Sequence, residues 1–317
     1  MRVFVARGSG AIGKQLVPLL LEHGHEVIAL SQSAQKARVL EALGAKVTTA
    51  DALDREGVTK AIRRAGPEVI IHQLTGLASA RGNCKQFDQE FALTNRFRTE
   101  GTDTLLAAAR LVGARRFIAQ SFCGWPFARV GGPVKTEEAP LAPNPPASFR
   151  QTLAAMRYLE GTVCRATDLE ALALRYGFFY GPGTGIARDG VLVALVRQRR
   201  LPIVGDGGGI WSFIHIQDAA RATVAAVERG APGIYNIVDD ELVPVVTWLP
   251  FLAEAVGAKP PRRIPAWLAR LAIDEGGVAM MTQSRGGSNA KARRELGWQP
   301  VYASWRCGFV DGVAAAP

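Results

Sequence analysis

Residues 2–20 read RVFVARGSGAIGKQLVPLL, and this stretch decides the fold. Arg2 to Ala6 is an apolar run with strand-forming residues. Leu16, Leu19 and Leu20 then recur at helical spacing until Gly24 stops the pattern. Between them, Gly8-Ser9-Gly10-Ala11-Ile12-Gly13 spells G-x-G-x-x-G, with a strand before it and a helix after it. In that setting the glycines serve a tight turn, close approach of backbone to a pyrophosphate and close helix packing. The helix N-terminus, opening at Ala11 and Ile12, adds N–H groups and positive dipole. Arg7 stands at the bend itself. Its guanidinium contacts a cofactor phosphate, points outward into solvent, or distorts the turn beyond use; the residues alone leave all three open. A side chain at position 7 is accommodated if Gly8 absorbs the unusual dihedrals.

The same alternation continues outward from this turn. HEVIAL, AKVTTA, EVIIHQL and RRFIAQS read as strands, separated by helices such as DREGVTKAIRRAG and TEGTDTLLAAARLVG. Short apolar strands alternating with helices predict an α/β fold, a Rossmann-type doubly wound parallel sheet. Prolines cluster between Gly131 and Pro146, which predicts a loop draped over a site. A long helix from Ser148 to Ala166 follows, then a sixth strand, LEALALRYG, with the turn FFYGPGTG at its carboxyl end. Residues 1–180 and 212–240 are expected to form the nucleotide-binding domain. Residues 181–211 and 241–317 are expected to form a smaller, substrate-capping region.

Composition bounds the function. With 317 residues, 48% hydrophobic and 21% charged, the chain can bury a full core. A strand that begins at Arg2 or Val3 leaves no room for a signal peptide, and no apolar run is long enough to span a bilayer, so a cytoplasmic protein is expected. Cys84, Cys123, Cys164 and Cys307 are scattered, without a C-x-x-C pair or a histidine cluster, which argues for reduced thiols and no metal site. The net charge of +10 is spread as short basic doublets, not as a stripe with interleaved aromatics. A small-molecule substrate is therefore expected, with no nucleic acid and no membrane as partner.

After the second strand, Ser31, Gln32, Ser33 and Lys36 appear with no acid before Glu41. NAD users normally place a carboxylate there for the ribose hydroxyls, so its absence favours NADP, with NAD as the alternative.

Several segments together resemble an extended or atypical short-chain dehydrogenase/reductase of the NAD(P)-dependent epimerase/dehydratase type. They are GSGAIGKQLVPLLLEHGHEVIAL, TADALD, EVIIHQLT, TNRFRTEGTDTLLAAAR, RRFIAQS, RYGFFYGPGTG, FIHIQDAARATVAAVE, GIYNIVDDE and SNAKARRELGWQP. The family's turn reads G-x-x-G-x-x-G, which puts its first glycine where Arg7 stands and keeps Gly10 and Gly13. The resemblance implies Asp51 and Ala52 beside the adenine, Leu74 and Thr75 at the ribose nearer the nicotinamide, and Tyr176 and Gly177 close to the nicotinamide.

It also implies a tyrosine that protonates a developing alkoxide, its pKa lowered by a lysine four residues later and its action aided by a serine. Ser121 matches the serine. Aligning the family's glutamate on Glu160 puts the tyrosine position at Thr152 and the lysine position at Met156. Tyr158 is six residues out of register, and a packing or surface role is expected for it; a structural role is expected for His215 and a packing role for Cys123. Lys135 is expected in solvent. Ser121 and Thr152 thus stand as the catalytic candidates, with Trp125, Phe178, Phe179 and Tyr180 as the substrate wall. The combination implies NADPH-dependent reduction of a ketone or enone on a small, aromatic or polyketide-like molecule. A nucleotide-sugar epimerase or dehydratase and a non-catalytic redox sensor are the alternatives. The helix from Ser148 to Ala166 resembles the family's dimer helix, so a homodimer is an option, although Ala154 and Ala155 could pack equally well within one chain.

Overall fold

The computed structural model describes residues 1–77 and 83–313. Its main sheet contains β1 (Arg2–Ala6), β2 (Glu26–Ser31), β3 (Lys46–Thr49), β4 (Val69–His72), β5 (Arg116–Phe122), β6 (Glu170–Tyr176) and β7 (Gly233–Ile237). Their spatial order is β3-β2-β1-β4-β5-β6-β7, and every neighbouring pair is parallel. The order reverses between β1 and β4, which opens a crevice at their carboxyl ends.

The period of two along β1 explains why both faces are covered. Val3 and Val5 face one core, with Leu16, Val17 and Leu20 of α1 (Ala11–Glu22). Phe4 and Ala6 face the other, with residues from α3 (Arg55–Ala65), α4 (Thr102–Val112) and α5 (Arg150–Cys164). Burying a leucine such as Leu16 completely stabilises the fold by about 2 kcal/mol before entropy is counted. Between β2 and β3 lies α2 (Ala34–Ala42); Ser33 caps it by accepting from Lys36 N–H at 3.4 Å.

After β6 the chain continues through α6 (Ile216–Glu228) to β7, then α7 (Val245–Ala255), α8 (Ala266–Thr282), α9 (Ala290–Leu296) and α10 (Trp305–Val313). A third core joins Val193, Ile203, Trp211, Trp248, Leu249, Trp305 and Phe309. Two expected boundaries shift. Tyr180 is an integral part of this third core, and Ala292, Leu296 and Trp298, expected in the cap, complete the first core on the nucleotide side. Apolar contact explains both shifts: these side chains bury their surface against the neighbouring layer. Inside α8, Asp274 has φ +66° and breaks the helix into two segments.

Candidate cofactor and substrate site

The turn between β1 and α1 occupies the crevice where the strand order reverses. Arg7 itself adopts φ +74°, a left-handed conformation that costs a non-glycine residue about 1–2 kcal/mol. The expectation that Gly8 would take the unusual dihedrals is thus corrected. Gly8 is required for space: a β-carbon there would lie 2.9 Å from Ala29 Cβ. Gly13 is tighter still, since its β-carbon would fall 2.1 Å from the Gly8 carbonyl oxygen. Gly10 precedes the first residue of α1 and supplies no side-chain cap, so the leading N–H groups of α1 keep their capacity to bind an anion.

Arg7 folds back across this turn, half-buried, with Nε 3.9 Å from a β-carbon built on Gly10. With Ser9, Leu30, Gln32, Lys36, Ala52 and Leu74 it lines a narrow crevice. Burial lowers its pKa, and among the described residues no carboxylate pairs with it. The serines expected at the ribose are engaged locally. Ser31 is buried and donates to the Ser33 carbonyl at 3.0 Å, while the Ser33 hydroxyl caps α2. Gln32 and Lys36 are exposed beside the crevice, and exposed Asp51 accepts from Leu53 N–H at 3.0 Å. Thr75 is half-buried after Leu74. An unpaired guanidinium, an uncapped helix terminus and two glycines without room for a β-carbon fit a nicotinamide dinucleotide. Arg7, Gln32 and Lys36 are the groups available to a ribose phosphate.

Each catalytic candidate is engaged by a different partner within the protein. Ser121 is buried and donates to Glu160 Oε1 at 2.6 Å. Arg175 Nε and Nη2 bind the same carboxylate at 2.8 Å each. Burial alone would lower the pKa of Arg175, but the bonds and charge of Glu160 hold it above its ordinary value. Thr152 is 0% exposed; its hydroxyl donates to Asp88 Oδ1 at 2.6 Å and accepts from Asn95 Nδ2 at 3.1 Å. Asp88 also accepts from the Gln151 and Thr152 N–H groups, so it caps α5 from outside the helix. Met156 is buried with Ala142, Leu153, Phe122 and Trp125. Tyr158 is exposed and donates to Asp103 at 2.8 Å.

Two further tyrosines are placed differently from expectation. Tyr176 turns into the core, where its hydroxyl meets Gln73 and Thr223, and burial pushes its pKa up to about 12. Tyr180 is 0% exposed, packed edge-on to Phe213 and Phe309, and is removed from the substrate wall. Phe179 faces Tyr176 at 5.4 Å on the nucleotide side of its strand. Gly177 is buried: a β-carbon there would lie 2.7 Å from the Ser212 carbonyl oxygen. Lys135 donates to the Val130 carbonyl. His215 Nδ1 accepts from Gln217 N–H and caps α6, a structural role.

Phe178 and Trp125 do come together. Phe178 stacks on Trp211 at 3.9 Å and meets Phe122 edge-on at 4.9 Å. Trp125 contacts Phe149 at 4.9 Å and Phe87 at 5.5 Å. The half-buried edges of Phe122, Trp125 and Phe178 therefore form an aromatic surface beyond the end of β5. Phe87, Phe122, Phe149 and Trp211 were not picked out from sequence. Their only signal was aromatic content in segments that the fold later brings together. Among the described residues there is no His/Cys/Asp/Glu group able to hold a metal ion, and no helix is long and apolar enough to cross a membrane.

This fold and this turn define a nicotinamide-dependent class, and the chain belongs to the NAD dependent epimerase/dehydratase family, whose pattern matches residues 3–238. It is 45% identical to a 3-diazoavenalumate denitrifying reductase from Streptomyces sp, over 98% of this chain and 99% of that protein. It is 30% identical to a 2-alkyl-3-oxoalkanoate reductase from Stenotrophomonas maltophilia (strain K279a), over 81% of this chain and 76% of the other. A solved UDP-glucose 4-epimerase from Thermus thermophilus, in complex with NAD, superposes with a TM-score of 0.73 at 26% identity, covering 99% of this chain and 98% of that one. The coarse assignment is an oxidoreductase related to reductases.

Proposed function

We propose that this protein is an NADPH-dependent reductase whose hydride acceptor is a small aromatic or conjugated molecule that needs no strong acid from the protein. One observation carries the reading: Thr152 and Met156, where the family's tyrosine and lysine are expected, are buried and committed to Asp88 and to apolar packing. Bound NADPH supplies a hydride. The residues of the chain hold and orient: Arg7, Gln32 and Lys36 bind the phosphate end, and Phe122, Trp125 and Phe178 stack on a planar acceptor and exclude water. A ketone leaves an alkoxide that water must protonate, and an enone leaves an enolate with the same need.

An arenediazonium has no such need. Hydride replaces dinitrogen on the ring carbon, so ArN2+ and H− give ArH and N2, and no proton donor is required. Similarity to a denitrifying reductase favours this acceptor within the same reading. The test is NADPH oxidation followed at 340 nm with an arenediazonium, an aryl ketone and an enone, using NADPH deuterated at C4. Deuterium is expected on the arene carbon. No oxidation with any of the three acceptors overturns the assignment.

A further inference from the structure

Two arginines lie next to each other in the segments beyond the aromatic surface, linked by a hydrogen bond from one side chain to the other's backbone. Arg129 lies in the loop after β5, four residues beyond Trp125, and Arg285 lies just past the end of α8. Arg285 Nη2 donates to the Arg129 carbonyl at 3.1 Å, and Arg129 Nη1 donates to Gln283 Oε1 at 2.8 Å. Among the described residues neither forms an ion pair. Arg285 Nε is buried and, among the described residues, has no hydrogen-bond partner. Burial lowers the pKa of Arg129; the nearby carboxylate of Glu275 opposes this without bonding to it, and the Arg285 charge adds to it. The unfilled Arg285 Nε, beside a second arginine that has no ion pair among the described residues, offers an anion a place to bind.

Both arginines belong to segments that border the substrate wall. Ser284, immediately before Arg285, accepts through its carbonyl from Ile210 N–H at 2.9 Å. The next residue, Trp211, is the one stacked on Phe178. A planar ligand held on these rings can therefore extend toward Arg285.

We propose that Arg129 and Arg285 bind an oxyanion on the substrate, and that this oxyanion is a carboxylate, which makes the substrates aromatic acids. This rests on the reductase reading above. A carboxylate supplies the acceptor that Arg285 Nε lacks and brings negative charge to a pair of neighbouring arginines. The diphosphate of a nucleotide sugar offers the same chemistry, and it forms a separate arm of the test.

The experiment is calorimetric titration of the full chain, in the presence of NADP+, with cinnamate, cinnamamide and UDP-glucose. Cinnamate is expected to bind about tenfold or more tightly than cinnamamide, the scale of a charge-assisted pair. In Arg285→Gln and Arg129→Gln that preference shrinks to about threefold or less, while cinnamamide affinity stays as in the wild type. Equal affinity for acid and amide, UDP-glucose binding without cinnamate binding, no binding of cinnamate, or a preference unchanged in both variants overturns the proposal. The wild-type comparison needs no variant to fold. Failure of the reductase reading shows separately, as absent NADPH oxidation with cinnamate binding intact.

Discussion

The Ser121 hydroxyl lies 2.6 Å from Glu160 Oε1 and donates to it, so the strand-end serine is tied to an ion pair inside the protein. Alternation along β5 sends Phe122 to the opposite side, where it joins the aromatic surface. The end of β5 thus divides its labour between anchoring α5 to β6 and forming the substrate wall.

Ser121→Ala is expected to lower stability by about 1.5–3 kcal/mol, the value of a buried bond to a charged group, with kcat reduced less than about tenfold. Glu160→Gln leaves Arg175 charged, buried and uncompensated, and is expected to cost about 3–5 kcal/mol. Urea unfolding and steady-state kinetics on both variants measure these effects. A loss of kcat in Ser121→Ala of a thousandfold at unchanged stability would restore the serine as a proton donor.

Arg7→Gly places the ordinary left-handed residue at φ +74° and removes the guanidinium from the crevice. Stability is expected to change by no more than about 1 kcal/mol. KM for NADPH is expected to rise about tenfold while KM for NADH changes less than about threefold, because only the former carries the phosphate. Parallel shifts in the two KM values would show that Arg7 does not read that group.

His72 gives the protein an acid-sensitive point. Its Nε2–H donates to the Phe97 carbonyl at 3.0 Å, and Nδ1 accepts from Leu74 N–H at 3.2 Å, which fixes the neutral ring. Burial lowers its pKa to about 4. The unfolded chain takes up this proton near pH 6.5 and the folded chain does not, so stability is full above that value and falls as pH drops toward 4. The loss amounts to about 3 kcal/mol. Urea midpoints between pH 7 and 4 are expected to show this slope, and His72→Gln to flatten it.

Cysteine labelling probes the same packing. Burial pushes the Cys123 thiol up to about 12 and the Cys84 thiol up to about 11, whereas Cys164 and Cys307 are exposed. Iodoacetamide at pH 8 is expected to modify Cys164 and Cys307 in the native protein and to spare Cys123. Peptide mass spectrometry reads the result, and equal labelling of Cys123 and Cys307 would contradict the buried placement.

The strands β1 to β6 and the glycine turn were legible because apolar periodicity and local spacing determine them. Helix α2 was not, since its AQKARVLEA is largely polar and only Ala37 and Leu40 are buried. Strand β7, GIYNI, is short and carries polar Asn236, so its place was visible through resemblance and not through pattern. The side on which Ser121 points depends on Glu160 and Arg175, residues far along the chain, and no local signal reports it. Phe87, Phe149 and Trp211 come to back the aromatic surface only when three separate segments pack, a tertiary event that spacing does not encode.

The return of residues 290–298 to the nucleotide side has a practical meaning for protein engineering. Lys291 donates to the Ile234 carbonyl at 2.9 Å, Tyr235 donates to Glu295 at 2.9 Å, and Leu296 and Trp298 fill the core over α1 and α6. The two layers are laced by one polypeptide that crosses back, and they are not interchangeable modules. A chimera that exchanges caps between relatives must cut on both sides of this segment and leave it with the sheet; a single crossover near residue 240 would give the sheet a foreign seal.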